Sequence, residues 1–594
     1  MIIIVTVLYG QDEFSIRNIT FEGNKTFSES LLKKQISLQE KSFSQRLLFW
    51  REFEIFTDGH LYQDIERLKR FYQTEGFLQV DIRVKKIPKK RHNNVDIVFI
   101  IQENMPVYVN NVMFSFLTDS DEERMFLDSL IHREMRAFPL KPKKRFRDED
   151  VFSQRRMILA LLLNNGYPYA EVQFNITLTS HNTLADIEFL IQSNSKSYFG
   201  EIYIEGTKYI DKDIILKQLT IKPGDLFQQE QLAKNQQRIQ QLGVFEYVSV
   251  RHVLHEGSSM LPLEIRVREH PRWSIKTGAG YGLDERIRLS LTLRKQPFLN
   301  GSRYATLFIK YSKVEPYHIN FKITQPAFIT PLSTLFLNPY FRKEHEKAYD
   351  LQRLGMSVTF QQQFSSIFHS FINYTFERNQ LELNEFVTES FILTNTYYNK
   401  SKVSLGFSLD RSTPLFFPDK GYYFSMSTTF SGLPGSEYHY LYALTELRNY
   451  HRLTEQLVMA TKVKSGFITP LMGDQITPIE ERFFAGGSNS VRGFRRNELS
   501  PVNENNIPVG GNGYLEASLE FRQQIFKNFF GSLFVDVGNV WTEYTDMNLR
   551  DLKVAPGVGI RYRTPIGPIR FDIAWPANVS GSKVNFHLSF GQAF

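Results

Sequence analysis

Apolar and polar residues alternate one by one through the second half of this chain, while the first half mixes short alternating runs with apolar stretches of helical period. A period of two marks a strand with one apolar face, and a period of 3.6 marks an amphipathic helix. Leu515, Ala517, Leu519 and Phe521 form one side of a strand, and Tyr514, Glu516, Ser518, Glu520 and Arg522 the other. Next, Leu533, Val535 and Val537 oppose Phe534, Asp536 and Gly538, and further on Ile560, Phe571 and Ile573 oppose Arg561, Arg570 and Asp572. The final stretch sets Val584, Phe586, Leu588 and Phe590 against Lys583, Asn585, His587 and Ser589. Lipid outside and a wet lumen inside demand this division. A soluble sandwich with half-buried strands alternates too. The span from Trp273 to a terminal Phe594, punctuated by turn signals such as Asn300-Gly301, Pro418-Asp419-Lys420-Gly421 and Pro565-Ile566-Gly567-Pro568, favours a transmembrane antiparallel β-barrel. Sixteen strands leave roughly 20 residues for each strand and its connection, enough for the ten or so that a tilted spanning strand needs.

The front half repeats itself. An amphipathic stretch ends at a glycine and runs into a strand three times: Leu68 to Tyr72 before Gly76, Met157 to Leu163 before Gly166, and Ile239 to Leu242 before Gly243. A glycine after a helix is in general only a C-cap, so the repetition carries the reading rather than any single glycine. The repeats close on further strands at Val95 to Ile101, Ala185 to Ile191 and Leu261 to Val267. Ile19-Thr20-Phe21-Glu22-Gly23 is matched by Ile202-Tyr203-Ile204-Glu205-Gly206, and each is followed by an apolar helix. The middle copy, with Val112-Met113-Phe114-Ser115-Phe116, lacks the Glu-Gly turn. The order strand, helix, helix, strand, strand resembles a POTRA module, which predicts modules at 14–105, 106–195 and 196–270 ahead of a barrel at 271–594.

Composition narrows the class. Cysteine is absent, so neither disulfides nor thiolate metal sites are available. Hydrophobic residues make up 42% but the mean hydropathy is −0.30, and no apolar run is long enough for a spanning helix, so any spanning is by strands. Aromatics reach 14%, as rings at both edges of a bilayer-facing barrel would require. The net charge of +8 gathers in Lys85-Lys86, Lys89-Lys90-Arg91 and Lys141 to Arg147. Such runs read first as solvated loops, and they also suit anionic lipid or an acidic partner. No base-stacking motif accompanies them, which argues against nucleic acid. Ile2 to Leu8 is a short apolar run without a basic flank, read as the remnant of a secretory signal over 1–13.

The stretch Glu481-Arg482-Phe483-Phe484-Ala485-Gly486-Gly487-Ser488-Asn489-Ser490-Val491-Arg492-Gly493-Phe494 sets one arginine among glycines and aromatics, directly ahead of the last alternating strands. It resembles the "RFFAGG…VRGF" element of the BamA/TamA family of outer-membrane insertases, and the three apparent modules place the chain nearest the TamA branch. The resemblance implies three POTRA modules in the periplasm of a Gram-negative bacterium and a barrel of about sixteen strands in its outer membrane. It further implies an assembly factor that folds and inserts client β-barrel or autotransporter proteins without ATP, among outer-membrane lipids and with a periplasm-spanning TamB-like partner. In that family the loop arginine folds back into the barrel and is held by carboxylates; carried over by position, these are Arg492 with Asp536, Glu520 and, as a third, Glu516. A guanidinium fork matches carboxylate oxygens in such a pair. Phe594 matches the terminal barrel signal, and Gly591 a kink near the end of the last strand.

A closed barrel would pair Trp273 to Tyr281 with Val584 to Phe594. Gly278, Gly280 and Gly282 on one face of the first strand weaken it, which predicts a labile seam; equally, small residues there would leave room for the inserted loop. Catalytic readings find no footing: Gly-x-Ser-x-Gly, His-Glu-x-x-His and the Walker lysine motif are all missing, so neither enzymatic activity nor a cofactor is expected. The rival is a two-partner secretion pore that exports a polypeptide, a class with two POTRA modules and a plug helix.

Overall fold

The computed structural model describes residues 15–40, 58–89, 94–118, 120–179, 182–254, 258–282, 285–299, 301–388, 396–474, 476–565, 567–577 and 583–593. The proposed signal remnant at 1–13, Phe14, Asn300, Ile566, Lys90-Arg91 and the terminal Phe594 lie outside the described residues. The chain divides into two compact units, Met1–Tyr203 with Ile221–Ala233 and Arg251–Glu264, and Ile204–Thr220 with Lys234–Val250 and Ile265–Phe594.

The first module runs β1 (Ser15–Glu22), α1 (Glu29–Gln35), α2 (Asp58–Thr74), β2 (Asp81–Lys89) and β3 (Asn94–Gln102). Its sheet has the order β1-β3-β2, with β1 parallel and β2 antiparallel to the central strand. Leu61, Leu68 and Tyr72 fall on one face of α2 because they are spaced by seven and four residues. That face closes over Ile97 and Phe99, both fully buried. The turn after β1 needs glycine: Gly23 sits at φ +86°, and a Cβ there would land on the Ile101 carbonyl oxygen. Glu103 then receives the Thr26 amide at 3.0 Å and its hydroxyl at 2.7 Å, which fixes the entry to α1.

The second module repeats the order with β4 (Tyr108–Phe116), α3 (Asp121–Glu134), α4 (Asp148–Leu163), β5 (Glu171–Thr179) and β6 (Leu184–Gln192). Without a Glu-Gly turn, the chain leaves β4 through Leu117, whose N–H donates to the Ile191 carbonyl at 2.8 Å. Ser120 caps α3 by accepting the Glu123 N–H, and three acidic residues follow in the first turn, where the helix dipole favours them. A third module follows as β7 (Tyr198–Glu205), α5 (Lys212–Leu216), α6 (Gln229–Gln241), β8 (Phe245–His252) and β9 (Met260–Glu269), with sheet order β7-β9-β8. Here Glu269 plays the part of Glu103, accepting the amides of Lys208 at 2.7 Å and Ile210 at 3.0 Å.

From β10 (Trp273–Gly282) to β25 (Asn585–Phe590), sixteen strands pair with their neighbours in one antiparallel sheet. The expected faces are realised. Leu519, Leu533, Val535, Ile560, Phe571 and Phe586 are exposed on the outside, whereas Glu520, Arg522, Asp536, Arg561, Arg570 and Asp572 are buried within. Among the described residues no helix is long and apolar enough to cross a membrane. The outer face of the strands is apolar, as a lipid-facing barrel wall requires.

The wall is uneven. β16 (Phe368–Leu383) has 16 residues, while β24 (Ile569–Ala574) and β25 have 6 each, fewer than a tilted strand needs to span the hydrocarbon. The last strand ends at Phe590 rather than running on, because Gly591 turns the chain at φ +95° and donates its N–H to the Pro568 carbonyl. The first and last strands approach each other, but β10 and β25 lie at opposite ends of the strand order and no ladder joins them among the described residues.

Candidate functional site

The long connection between β20 (Leu457–Pro470) and β21 (Gly513–Phe526) returns into the barrel, where a short 3-10 turn at Ile479–Glu481 opens it. Phe483 and Gly511 exchange backbone hydrogen bonds of 2.9 and 3.0 Å, closing the neck of the loop. Beyond the neck, Gly486 and Gly487 adopt φ +100° and +107°, which turns the chain back so that the Gly487 N–H donates to the Phe494 carbonyl at 2.9 Å. Phe494 packs with Phe483, Val491 and Tyr514 in a buried cluster. Val491 reaches the wall at Gly538, where an added Cβ would stand 2.8 Å from its methyl group.

This folding delivers Arg492, 1% exposed, to the inner wall. Its Nε and backbone N–H donate to one oxygen of Asp536 at 2.7 and 3.0 Å, and its Nη2 donates to the other at 2.8 Å. The same Asp536 accepts the Ser518 hydroxyl at 2.6 Å. Nη1 of Arg492 donates to Glu520 at 2.7 Å and lies 3.6 Å from Asp572. The guanidinium stacks 3.3 Å from the centroid of the Phe534 ring, so apolar carbon covers the plane while carboxylates take the edge. Asp536 and Phe534 stand on β22 (Phe529–Trp541), Glu520 and Ser518 on β21, and Asp572 on β24.

Three further arginines complete the cluster. Arg522 donates to Glu520 at 2.8 Å, Arg561 of β23 (Lys553–Tyr562) donates to the other oxygen of Glu520 at 3.1 Å, and Arg570 lies 3.6 Å from Asp572. Every one of these charges is almost wholly removed from solvent. Stripping ions of water is repaid only where each finds opposite partners, and the interleaving of the arginines with Glu520, Asp536 and Asp572 supplies them.

Glu516 is not among the partners of Arg492. It accepts from Lys462 at 2.8 Å and from the Ser490 hydroxyl at 2.5 Å. Four residues along a strand displace a side chain by about 13 Å, so Glu516 cannot reach the guanidinium that Glu520 holds. Gly493 presses against the wall, where an added Cβ would meet Ala555 and stand 3.2 Å from the Pro576 nitrogen. Its carbonyl accepts from Asn585 and that of Arg492 from His587 at 2.7 Å, both residues of β25. His587 and Asn585 as loop partners escape a reading of faces alone, since alternation says only that they point inward.

A second anchorage was also beyond sequence reasoning. The turn at Ile479–Glu481 is held on the far wall by Lys400, which is fully buried and lies 3.0 Å from Glu480, 3.5 Å from Glu377 and against Glu481. Arg353 stands 3.5 Å from Glu481, Lys402 stands 3.3 Å from Glu377, and the Tyr398 hydroxyl donates to Glu480. These groups come from β15 (Tyr349–Gln363), β16 and β17 (Tyr397–Asp410). The available signal was the Glu480-Glu481 pair ahead of the aromatic-glycine stretch.

The seam glycines are placed differently. Gly278, Gly280 and Gly282 lie on β10, where a Cβ at Gly282 would meet nothing within 4 Å and one at Gly280 would meet only Arg288. The loop does not press on either position, so they do not make room for it. Both faces of β10 are largely open.

Residues 298–594 match the Omp85 superfamily domain, and residues 14–104 and 197–270 match the POTRA family, described as the surface antigen variable number repeat. The outer membrane protein assembly factor BamA of Nitratidesulfovibrio vulgaris is 22% identical over 98% of this chain and 73% of its own length. That of Neorickettsia risticii is 23% identical over 94% of this chain and 75% of its own. Among solved structures, BamA from Haemophilus ducreyi lacking POTRA domains 1-3 superposes with a TM-score of 0.62 at 19% identity, covering 82% of this chain and 99% of that one.

Proposed function

Because this chain belongs to the Omp85 superfamily, we propose that it is an outer-membrane protein assembly factor, which folds and inserts client β-barrel proteins into the outer membrane of a Gram-negative bacterium without ATP. Its POTRA modules stand in the periplasm. The observation that carries the reading is the barrel's incomplete closure: β25 is tied to the lumenal loop through His587 and Asn585, while no ladder joins it to β10 among the described residues. An edge strand with free N–H and C=O groups is a template for another strand. A client strand adding to that edge would satisfy those groups before it meets lipid, where unpaired backbone is costly. The modules deliver the unfolded client by the same strand addition. The three-module order supports a place near the TamA branch, with a periplasm-spanning TamB-like partner.

The test is reconstitution. The full chain in liposomes, mixed with a urea-unfolded outer-membrane barrel and no nucleotide, should raise the client's folding rate, read by its heat-modifiable gel mobility. Folding no faster than in empty liposomes, with the client instead transported to the interior, would support an exporting pore and overturn the proposal.

A further inference from the structure

At the end of the barrel opposite to where the chain enters at Trp273, a cavity of about 670 Å³ lies beside the start of β25. Arg286, the first residue of the strand that follows β10, and Lys313 and Lys347, from two strand connections, line it together with Arg495 and Arg496 of the lumenal loop. Among the described lining residues the one carboxylate is Glu346, and it is already engaged by Arg496 at 2.6 Å and Asn497 at 3.0 Å. His345, also in the wall, is turned to Asp350. Arg286, Lys313, Lys347 and Arg495 are exposed to the cavity side of the loops, and the short contact of Arg286 is to the neutral Tyr281 hydroxyl at 3.3 Å. The other flank is apolar: Val584 and Phe586 of the seam are 48% and 53% exposed.

Like charges lining one cavity repel unless an anion is placed among them. Guanidinium forks match phosphate oxygens, and basic pockets beside a membrane wall suit anionic headgroups. The apolar flank continues the outer, lipid-facing side of β25, so an occupant would be charged at one end and apolar at the other. We propose that this cavity binds the phosphorylated headgroup of an outer-leaflet lipid, with its acyl chains laid along Val584 and Phe586. The headgroup would bridge Arg286, at the start of the strand paired with β10, and the start of β25. The proposal rests on placement in the outer membrane and not on client insertion, and its test reads lipid binding alone.

The full chain, in detergent, is titrated by native mass spectrometry with an acylated glucosamine disaccharide bearing two phosphates, and with the same lipid lacking them. The phosphorylated lipid should bind about tenfold more tightly, a difference of ~1.4 kcal/mol. The triple variant Arg286→Gln, Lys347→Gln, Arg495→Gln should lose that preference, while Lys85→Gln with Lys86→Gln, which removes charge from the first module, should keep it. Heat-modifiable mobility on the same samples reports whether the barrel is folded; if the triple variant is not, Arg286→Gln and Lys347→Gln are measured singly and should each weaken the preference. Equal binding of the two lipids, or a folded triple variant that binds as wild type, overturns the proposal. So does displacement by inorganic pyrophosphate at the lipid's own concentration, which would mean that phosphate alone is recognised.

Discussion

His587 on the last strand donates from Nε2 to the backbone carbonyl of Arg492 at 2.7 Å. The tip of the loop thereby holds the strand that has no ladder partner at the seam, and Asn585 adds a second bond to the Gly493 carbonyl. Removing one such bond costs ~1 kcal/mol, a factor of roughly five in local opening. His587→Ala should therefore speed amide exchange in Asn585–Phe590 by about that factor and leave β20 to β22 unchanged, with His587→Gln recovering part of the protection. Identical exchange in wild type and His587→Ala would separate the loop from the strand.

Arg492 is the centre of the inner cluster. Taking away one member of a buried ion pair strands the others, typically at ~3 to 5 kcal/mol. Arg492→Ala should lower the temperature at which the barrel loses its heat-modifiable mobility, and should slow client folding, while the modules keep their circular dichroism. Arg492→Lys should restore only part, because an ammonium cannot fork onto Asp536 as Nε and Nη2 do. Full rescue by lysine would show that charge alone matters there.

Lys400 anchors the other end of the loop, between Glu377, Glu480 and Glu481. Lys400→Met removes the cation and keeps the stem, so that Glu480 loses its ammonium contact while Arg353 and Lys402 stay beside Glu481 and Glu377. The loss should again be ~3 to 5 kcal/mol, and Glu480→Gln in the same chain should return part of it. Protease sensitivity of the 471–512 loop from outside the cell gives the readout, rising in the single variant and falling in the double. Two variants with equal sensitivity would remove Lys400 from the anchorage.

The open seam can be locked. With no cysteine of its own, the chain accepts single thiols on β10 and β25 joined by a short reversible bis-thiosulfonate linker. Linked protein should lose client insertion and recover it on reduction, whereas insertion at the full rate by linked protein would exclude lateral opening.

In the third module, His252 packs edge-on to Phe227 with ring centroids 4.9 Å apart, and burial holds its imidazole below the usual value of 6.5. The neutral ring is what the fold accepts. Stability is thus full above the ordinary histidine value and falls as pH drops through it, where only the unfolded chain takes up the proton. Amide exchange in β8, corrected for intrinsic rate, should accelerate from pH 7.5 to 5.5, and His252→Phe should flatten the response. A pH-independent wild type would contradict this.

The sequence discloses faces better than heights. A period of two is a property of the strand itself, so Glu520, Asp536, Arg561 and Asp572 could all be turned inward before any pairing was known. Position along the barrel depends on register between strands, which no local pattern encodes; hence Glu516, on the same face as Glu520, sits with Lys462 instead. Lys400 and Glu480 illustrate the same limit across eighty positions, since only the returning loop brings them together. The middle module was readable despite its missing turn, because the helical apolar period over Met157 to Leu163 reflects core contacts that the turn does not make. The early end of β25 turns on one backbone angle at Gly591, to which alternation is blind.

A loop pinned to two walls of a cylinder also has a mechanical meaning. With Arg492 bound on one side and Glu480 and Glu481 on the other, residues 480–492 act as a chord across the bore, and flattening the ring would stretch or slacken it. Lateral pressure from the bilayer is then resisted along that diameter. The compliant direction is circumferential, at the one edge where no hydrogen-bond ladder closes the hoop among the described residues, so strain imposed anywhere on the wall is passed to the gap between β10 and β25.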